Sequence, residues 1–276
     1  MVILHASDLQ TGKPFRARAG EDFVALAHAL RPALVVIAGD LTQRAKAREF
    51  GAVRSLLDRL APVPVVVTPG NHDVPLYRVW ERLASPYRNW RRFIAAGLDS
   101  VTRIEGATVV ALNSSAPRRA IVGGRLAARQ LALARHAFAS APAGDARVIV
   151  VHHHFVPTPD RLGGRPLPGA RRFLAAFEAM GVELVLGGHV HRTHLSTSRA
   201  LVAGAGPGIP LVACGTTASS RGRGPEVGLN TLNVVHLDAA MVRVETRRHR
   251  EGEGFVPVAE RAFPRPGAAA GTGARA

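Results

Sequence analysis

Five short polar blocks hold most of the side chains in this sequence that could do chemistry. They are Ser7-Asp8-Leu9-Gln10, Gly39-Asp40-Leu41, Gly70-Asn71-His72-Asp73, His152-His153-His154 and Gly187-Gly188-His189-Val190-His191. Carboxylates, imidazoles and side-chain amides are ligand types for divalent cations, imidazole suiting softer ions and oxygen donors harder ones. Singly, each block has an ordinary explanation. Gly-Asp and Gly-Asn are turn dipeptides, and neighbouring histidines are common in loops. Their shared position argues otherwise, because each block follows an apolar run of strand length.

Those runs are Val2 to Ala6, Leu34 to Ala38, Val63 to Thr68, Thr108 to Leu112, Val148 to Val151 and Leu184 to Leu186. They are rich in β-branched residues, which predicts buried strands. Helical patterns lie at Glu21 to Leu30 and at Arg44 to Leu60, the second with Phe50, Val53, Leu56, Leu57 and Leu60 on one face. Arg125 to Phe138 and Gly169 to Met180 read as further helices. Strand alternating with helix predicts a largely parallel, buried sheet. From Leu211 the pattern changes to strands without helices between them, at Leu211 to Cys214, Thr231 to His236 and Val242 to Thr246. That change predicts a second, more antiparallel sheet packed on the first.

The expected fold class is therefore α/β, a four-layer α-β-β-α sandwich of two mixed sheets. Open α/β sheets place ligand sites at the carboxyl ends of their strands, so the five blocks are expected to meet at one rim. Loops are predicted at Gly163 to Gly169, Gly204 to Pro210 and Ser219 to Pro225. One domain is expected over residues 1–260, followed by a disordered Pro/Gly/Ala-rich tail at 261–276.

The composition narrows the function. A length of 276 residues with 47% hydrophobic content fits one large α/β unit. A single cysteine, Cys214, excludes an intrachain disulfide and a cysteine-type zinc site. No apolar stretch reaches membrane-spanning length, and Met1 leads straight into a strand, so a soluble cytoplasmic protein is expected. The net charge of +16 invites a nucleic-acid reading. Yet the cations are scattered arginines, with only Lys13 and Lys46 as lysines, and stacking aromatics are sparse at 5%. Nucleic acid is thus a possible partner that is not favoured, whereas any anionic substrate would benefit.

The order of the blocks resembles the calcineurin-like metallophosphoesterase family, which carries D-x-H, G-D, G-N-H-[DE], a strand-terminal His and G-H-x-H. The resemblance spans about Val2 to about Arg192, and the combined motif set is specific where any one member is weak. It implies a two-metal site. Asp8, the residue at Gln10 and His191 would hold the first metal, and Asp40 would bridge both. Asn71, His152 and His189 would complete the second. His72 would contact the phosphate as general acid or charge stabiliser, with Asp73 orienting its ring. The implied reaction is in-line attack on phosphorus by a hydroxide bridging two divalent ions.

Gln10 departs from the pattern, which has histidine there. A neutral amide oxygen is a harder donor than imidazole, so Mn²⁺ is favoured among Mn²⁺, Mg²⁺, Fe and Zn²⁺. His153, Asn113, His194 and Arg221 are candidates for substrate contact, with His154 and Arg223 near them; ordinary loop polarity explains each equally well. His5 reads as structural. The length and the His5-Ala6-Ser7-Asp8 opening are similar to bacterial cyclic-nucleotide phosphodiesterase-type members. Phosphodiester or phosphoanhydride bonds of small nucleotide-like molecules are the expected substrates. The alternatives are a repair-type nuclease, supported only by charge, and a non-catalytic scaffold on the same fold. A lipid-precursor pyrophosphatase is disfavoured because no apolar amphipathic lid is legible. The oligomeric state is left open.

Overall fold

The computed structural model describes residues 1–119, 121–159 and 164–266. In chain order its strands are β1 (Val2–Ala6), β2 (Leu34–Ile37), β3 (Val65–Val67), β4 (Ser100–Ile104), β5 (Ala107–Leu112) and β6 (Ala146–Val151). β7 (Leu184–Gly187), β8 (His194–Thr197), β9 (Pro210–Ala213), β10 (Thr231–Leu237), β11 (Met241–Arg250) and β12 (Gly254–Pro264) follow. The helices are α1 (Ala17–Leu30), α2 (Ala47–Asp58), α3 (Val79–Ala84), α4 (Arg88–Phe93), α5 (Ala128–Ala139) and α6 (Ala170–Ala179).

The strands form two six-stranded mixed sheets, ordered β12-β11-β10-β1-β2-β3 and β4-β5-β6-β7-β9-β8. In the first, β1, β2 and β3 run parallel and β10 pairs antiparallel with β1, Val2 opposite His236 and His5 opposite Asn233. In the second, β5, β6, β7 and β9 run parallel between the antiparallel edges β4 and β8.

Alternating side chains divide the core into three. Ile3, Val36, Val109, Val148, Leu184 and Val235 pack between the sheets. Leu4, Val35 and Val234 face outward onto Phe23 of α1 and Phe50 of α2. On the far side Ile149 and Val185 meet Phe138 of α5 and Phe177 of α6. The α-β-β-α layering follows, and central strands apolar on both faces explain the continuous apolar runs.

Three expectations need correction. The late strands do not make a sheet of their own. β10 takes the open edge of β1 and carries β11 and β12 with it, while β9 inserts between β7 and β8. The early parallel strands are thereby split between the two sheets. Second, β12 runs to Pro264, paired with Met241, so residues 261–264 belong to the sheet rather than to a tail. The rest of the expected tail from 267, and the Gly163 start of one expected loop, lie outside the described residues.

Third, an apolar exposed element does exist. Helix α3 buries no residue, and its Val79, Trp80 and Leu83 are exposed. Polar side chains at its start and within it face the protein instead: Arg78, which precedes its first turn, donates to the carbonyls of Arg44 and Ala45, and Arg82 to that of Leu76. A helix amphipathic in this inverted sense gives no core-facing stripe for a sequence reading to find.

Candidate metal centre

Five of the seven expected ligands sit in left-handed backbone: Asp8 (φ 54°), Gln10 (φ 49°), Asp40 (φ 52°), His189 (φ 72°) and His191 (φ 58°). Among the described residues only Arg31 and Ala45 share that conformation without being glycine. Such backbone costs roughly 1–3 kcal/mol per residue and persists where surrounding structure enforces it. Here the enforcement is visible. Past the ends of β1 and β2 the two segments stay paired, Asp8 N donating to Gly39 O at 3.0 Å and Gln10 N to Asp40 O at 2.9 Å. Glycines allow the close approach. A Cβ on Gly70 would lie 2.1 Å from Asp40 Oδ1, and one on Gly188 would lie 1.8 Å from Ser7 Oγ.

Two groups of buried donors result. The carboxylates of Asp8 and Asp40 lie with a His191 ring nitrogen inside one 4.8 Å cluster, and ring nitrogens of His152, His153 and His189 form another. Asp40 faces both. Its Oδ1 is 3.4 Å from His152 Nε2, while its Oδ2 is 3.4 Å from Gln10 Nε2. His191 Nε2 lies 3.2 Å from Asp8 Oδ1 and 3.4 Å from Gln10 Nε2. Asn71 Oδ1 and His189 Nδ1 are 3.0 Å apart. Asp8, Gln10, Asp40 and Asn71 come from the ends of β1, β2 and β3, and His152, His189 and His191 from the ends of β6 and β7, so the two sheets contribute jointly.

The remaining ring nitrogens are spoken for. His152 Nδ1 donates to Ala38 O at 2.7 Å, and His191 Nδ1 to Arg221 O at 2.9 Å. With each Nδ1 hydrogen committed to a carbonyl, Nε2 is the nitrogen that faces the carboxylates. Burial would lower the His152 imidazole, but the Asp40 carboxylate outweighs it and pushes it up to about 9, so an ion would bind there by displacing a proton. Asp8 Oδ1 and His152 Nε2 are buried and make no hydrogen bond. Burial alone would raise the Asp40 carboxyl, but the His152 and His72 imidazoles outweigh it and hold it well below the usual range. Burial pushes His189 well below the ordinary imidazole value, the neighbouring histidines adding to it, so it is a neutral donor. A buried carboxylate oxygen and a ring nitrogen without hydrogen-bond partners, set beside shared carboxylates, fit divalent cations.

The other expected residues fall less uniformly. His72 Nδ1 donates to Gln43 O at 3.0 Å, and its Nε2 accepts from Arg221 Nη1 at 2.9 Å. His72 Nε2 therefore accepts here, and the N–H facing it belongs to Arg221. Arg221 Nη1 also reaches Gln43 Oε1 at 3.3 Å. Asp73 does not meet the His72 ring. It accepts from Gly70 N, Leu41 N, Thr42 N and Thr42 Oγ, bracing the β2 and β3 turns against each other.

His153 lies close to the ligands, yet its Nε2 donates to Val122 O and its Nδ1 accepts from Ser114 Oγ. With burial holding its imidazole down to about 3, it ties the loop at Val122 to Ser114. Asn113 is occupied by Tyr87 and Ser115. His154 stacks on His189, and His194 lines a small cavity with His153 and His154 behind the ligands. Arg223 N donates to His191 O. His5 is wholly buried in β1.

Two contributors escaped the sequence reading. Ser219 Oγ donates to Gln10 Oε1 at 2.8 Å, and Gln43 positions both His72 and Arg221. Ser219 opens a loop that stands out in the sequence for its arginines alone.

A family model described as calcineurin-like phosphoesterase matches residues 1–193. The chain belongs to that family. This calcineurin-like phosphoesterase is accordingly a phosphoric ester hydrolase of a dimetal-dependent family. Its structure is similar to a dimetal phosphatase from Danio rerio, at 12% identity over 96% of this chain and 99% of that one, with a TM-score of 0.65. It is also similar to the purple acid phosphatase PPD1 of yellow lupin, at 13% identity and TM-score 0.71, covering 95% of this chain and 53% of that one. The protein TT1561 of Thermus thermophilus matches at 15% identity and TM-score 0.54, over 90% of this chain and 99% of that one. At such identities the likeness is one of fold. No curated protein matches in sequence.

Proposed function

We propose that this phosphoesterase hydrolyses phosphodiester or phosphoanhydride bonds of small nucleotide-like molecules with two divalent ions, Mn²⁺ favoured. The observation that carries the reading is the position of Asp40, whose two oxygens face separate donor sets. Asp8, Gln10 and His191 would share Asp40 around one ion, and Asn71, His152 and His189 around the other. When bound, the ions supply a nucleophile at neutral pH and neutralise charge on the phosphoryl oxygens.

Gln10 has the geometry for this once its amide is turned by half a rotation. Oε1 then faces Asp40 and His191, and Nε2 donates to Ser219 Oγ, since a hydroxyl accepts as well as it donates. An all-oxygen addition to the first site favours Mn²⁺ or Mg²⁺ over Zn²⁺. Arg221 leaves His72 to grip a phosphoryl oxygen with two N–H groups. His72, freed at Nε2 and held at Nδ1 by Gln43 O, takes a proton there and delivers it to the leaving oxygen.

The test measures bound metal in purified protein and turnover of bis(p-nitrophenyl) phosphate with added Mn²⁺, Mg²⁺ or Zn²⁺. Turnover fastest with Mn²⁺ is expected, and none with any ion would overturn the reading. A screen of cyclic nucleotides, dinucleoside polyphosphates and nucleoside-diphosphate conjugates then identifies the substrate class.

A further inference from the structure

The inverted helix α3 and its surroundings form a surface unlike the rest of the molecule. Trp80 is 84% exposed and Tyr77 72%, and Val79 and Leu83 are exposed beside them. Trp80 and Leu83 lie three residues apart on one side of the helix, and Tyr77 stands exposed in the turn just before it. A monomer gains nothing by keeping such side chains in water, and their backbone is fixed by the inward hydrogen bonds of Arg78 and Arg82. A second exposed apolar pair, Ile121 and Val122, lies on the neighbouring loop. That loop is joined to α3 through Arg118, whose Nε donates to Leu83 O at 2.9 Å.

The charge around these apolar groups is predominantly positive. Residues 74–98 contain five arginines and one acid, Glu81, and residues 114–130 contain four arginines and none. Arg91, Arg118, Arg119, Arg125 and Arg129 line a groove of about 780 Å³ next to the end of α3. Among the described residues no helix is long and apolar enough to cross a membrane. Aromatic and aliphatic side chains set beside a field of arginines suit the boundary between lipid headgroups and acyl chains.

We infer that this face docks on an anionic lipid surface, Tyr77, Trp80, Leu83, Ile121 and Val122 entering the interface and the groove arginines pairing with lipid phosphates. A nucleic acid would use the arginines and leave the apolar groups in water. A second copy of the chain would cover the apolar groups but bring two basic fields together. The lipid surface satisfies both. Tyr77 lies five residues beyond His72 in sequence, so docking would set the catalytic rim close to the headgroups.

The experiment is co-sedimentation of the full chain with phosphatidylcholine vesicles and with mixed phosphatidylcholine–phosphatidylglycerol vesicles. Binding to the mixed vesicles alone is expected, with a blue shift of Trp80 emission against the constant background of buried Trp90. It should weaken about fivefold per arginine removed in Arg118→Ser and Arg119→Ser, and at high salt. Trp80→Ser should lose binding about tenfold or more while hydrolysing bis(p-nitrophenyl) phosphate as before, which shows that the variant is folded. The inference falls if neither vesicle binds, if both bind equally, or if binding is unchanged in Trp80→Ser. It falls too if the chain dimerises in a Trp80-dependent way, or if it binds duplex DNA and not vesicles. None of these outcomes bears on whether the metal centre hydrolyses phosphoesters, so the two readings fail separately.

Discussion

Arg221 Nη1 rests 2.9 Å from His72 Nε2, so a guanidinium donates to the imidazole expected to deliver the proton. Arg221→Ala should lower turnover of bis(p-nitrophenyl) phosphate about 10- to 100-fold, the range for losing a charge-assisted hydrogen bond of about 1.5–3 kcal/mol. Lysine should restore little, because a flexible ammonium lacks the planar pair of N–H groups that grips the phosphoryl oxygen. Steady-state kinetics on the Mn²⁺-loaded protein decide this. An unaffected Arg221→Ala variant would remove the residue from the reaction.

Ser219 and Gln10 make a second testable pair. Ser219→Ala takes away the group that fixes the Gln10 amide and should weaken ion binding at that site about 10- to 100-fold, as loss of a ligand's hydrogen-bond partner does. Gln10→His should raise affinity for Zn²⁺ there. Both are read by competition titration against a chromogenic chelator. Unchanged Zn²⁺ affinity in Gln10→His would mean that residue 10 is not a ligand.

Gly70→Ala tests the close packing of the rim. Its Cβ would lie 2.1 Å from Asp40 Oδ1 and 2.4 Å from Asp40 N, and the backbone atom cannot step aside. Loss of ion binding and destabilisation of about 1–3 kcal/mol are expected, from chelator titration and urea unfolding. Gly51→Ala, where a Cβ meets nothing within 4 Å, is the control.

A fourth prediction concerns pH. Burial within β1 pushes the His5 imidazole from 6.5 down to about 3. The unfolded chain binds a proton that the folded chain refuses. Stability from this residue is therefore full above about pH 6.5 and falls by about 1.4 kcal/mol per pH unit as the medium is acidified toward pH 3. His5→Gln should flatten the pH dependence of urea unfolding of the metal-free protein by that slope. An identical slope in the variant would mean that His5 is not held neutral.

Much of this was legible in the sequence, for a physical reason. Strands buried on both faces, such as β2 and β6, are written as unbroken apolar runs, and the candidate ligands at their ends fall in short blocks beside them. Sheet membership was not legible, because nothing local in Thr231–Leu237 says that it pairs with β1 rather than with its successors alone. β4, an edge strand with exposed Ser100 and Arg103, carries too weak a pattern. The same holds for the site. Asp8, Asp40, His152 and His191 announce themselves by type and spacing. The partners of His72 do not, since a backbone carbonyl and an arginine 149 residues away leave no local mark. Asp73, next to His72 in sequence, turns instead to the β2 turn.

The donors of this centre are divided between two sheets whose shared interior is apolar, built from side chains such as Ile3, Val36, Val109 and Val148. The single cysteine rules out a covalent cross-link within the chain. Ion occupancy would therefore act as a removable fastener at one end of the sandwich. An emptied rim is free to gape while the opposite end stays shut. Chelation should then register first as faster amide exchange in the turns at residues 7–11 and 187–191, ahead of any loss of the strands themselves. The cell's supply of ions would govern how firmly the two halves of the molecule are held together as well as how fast it works.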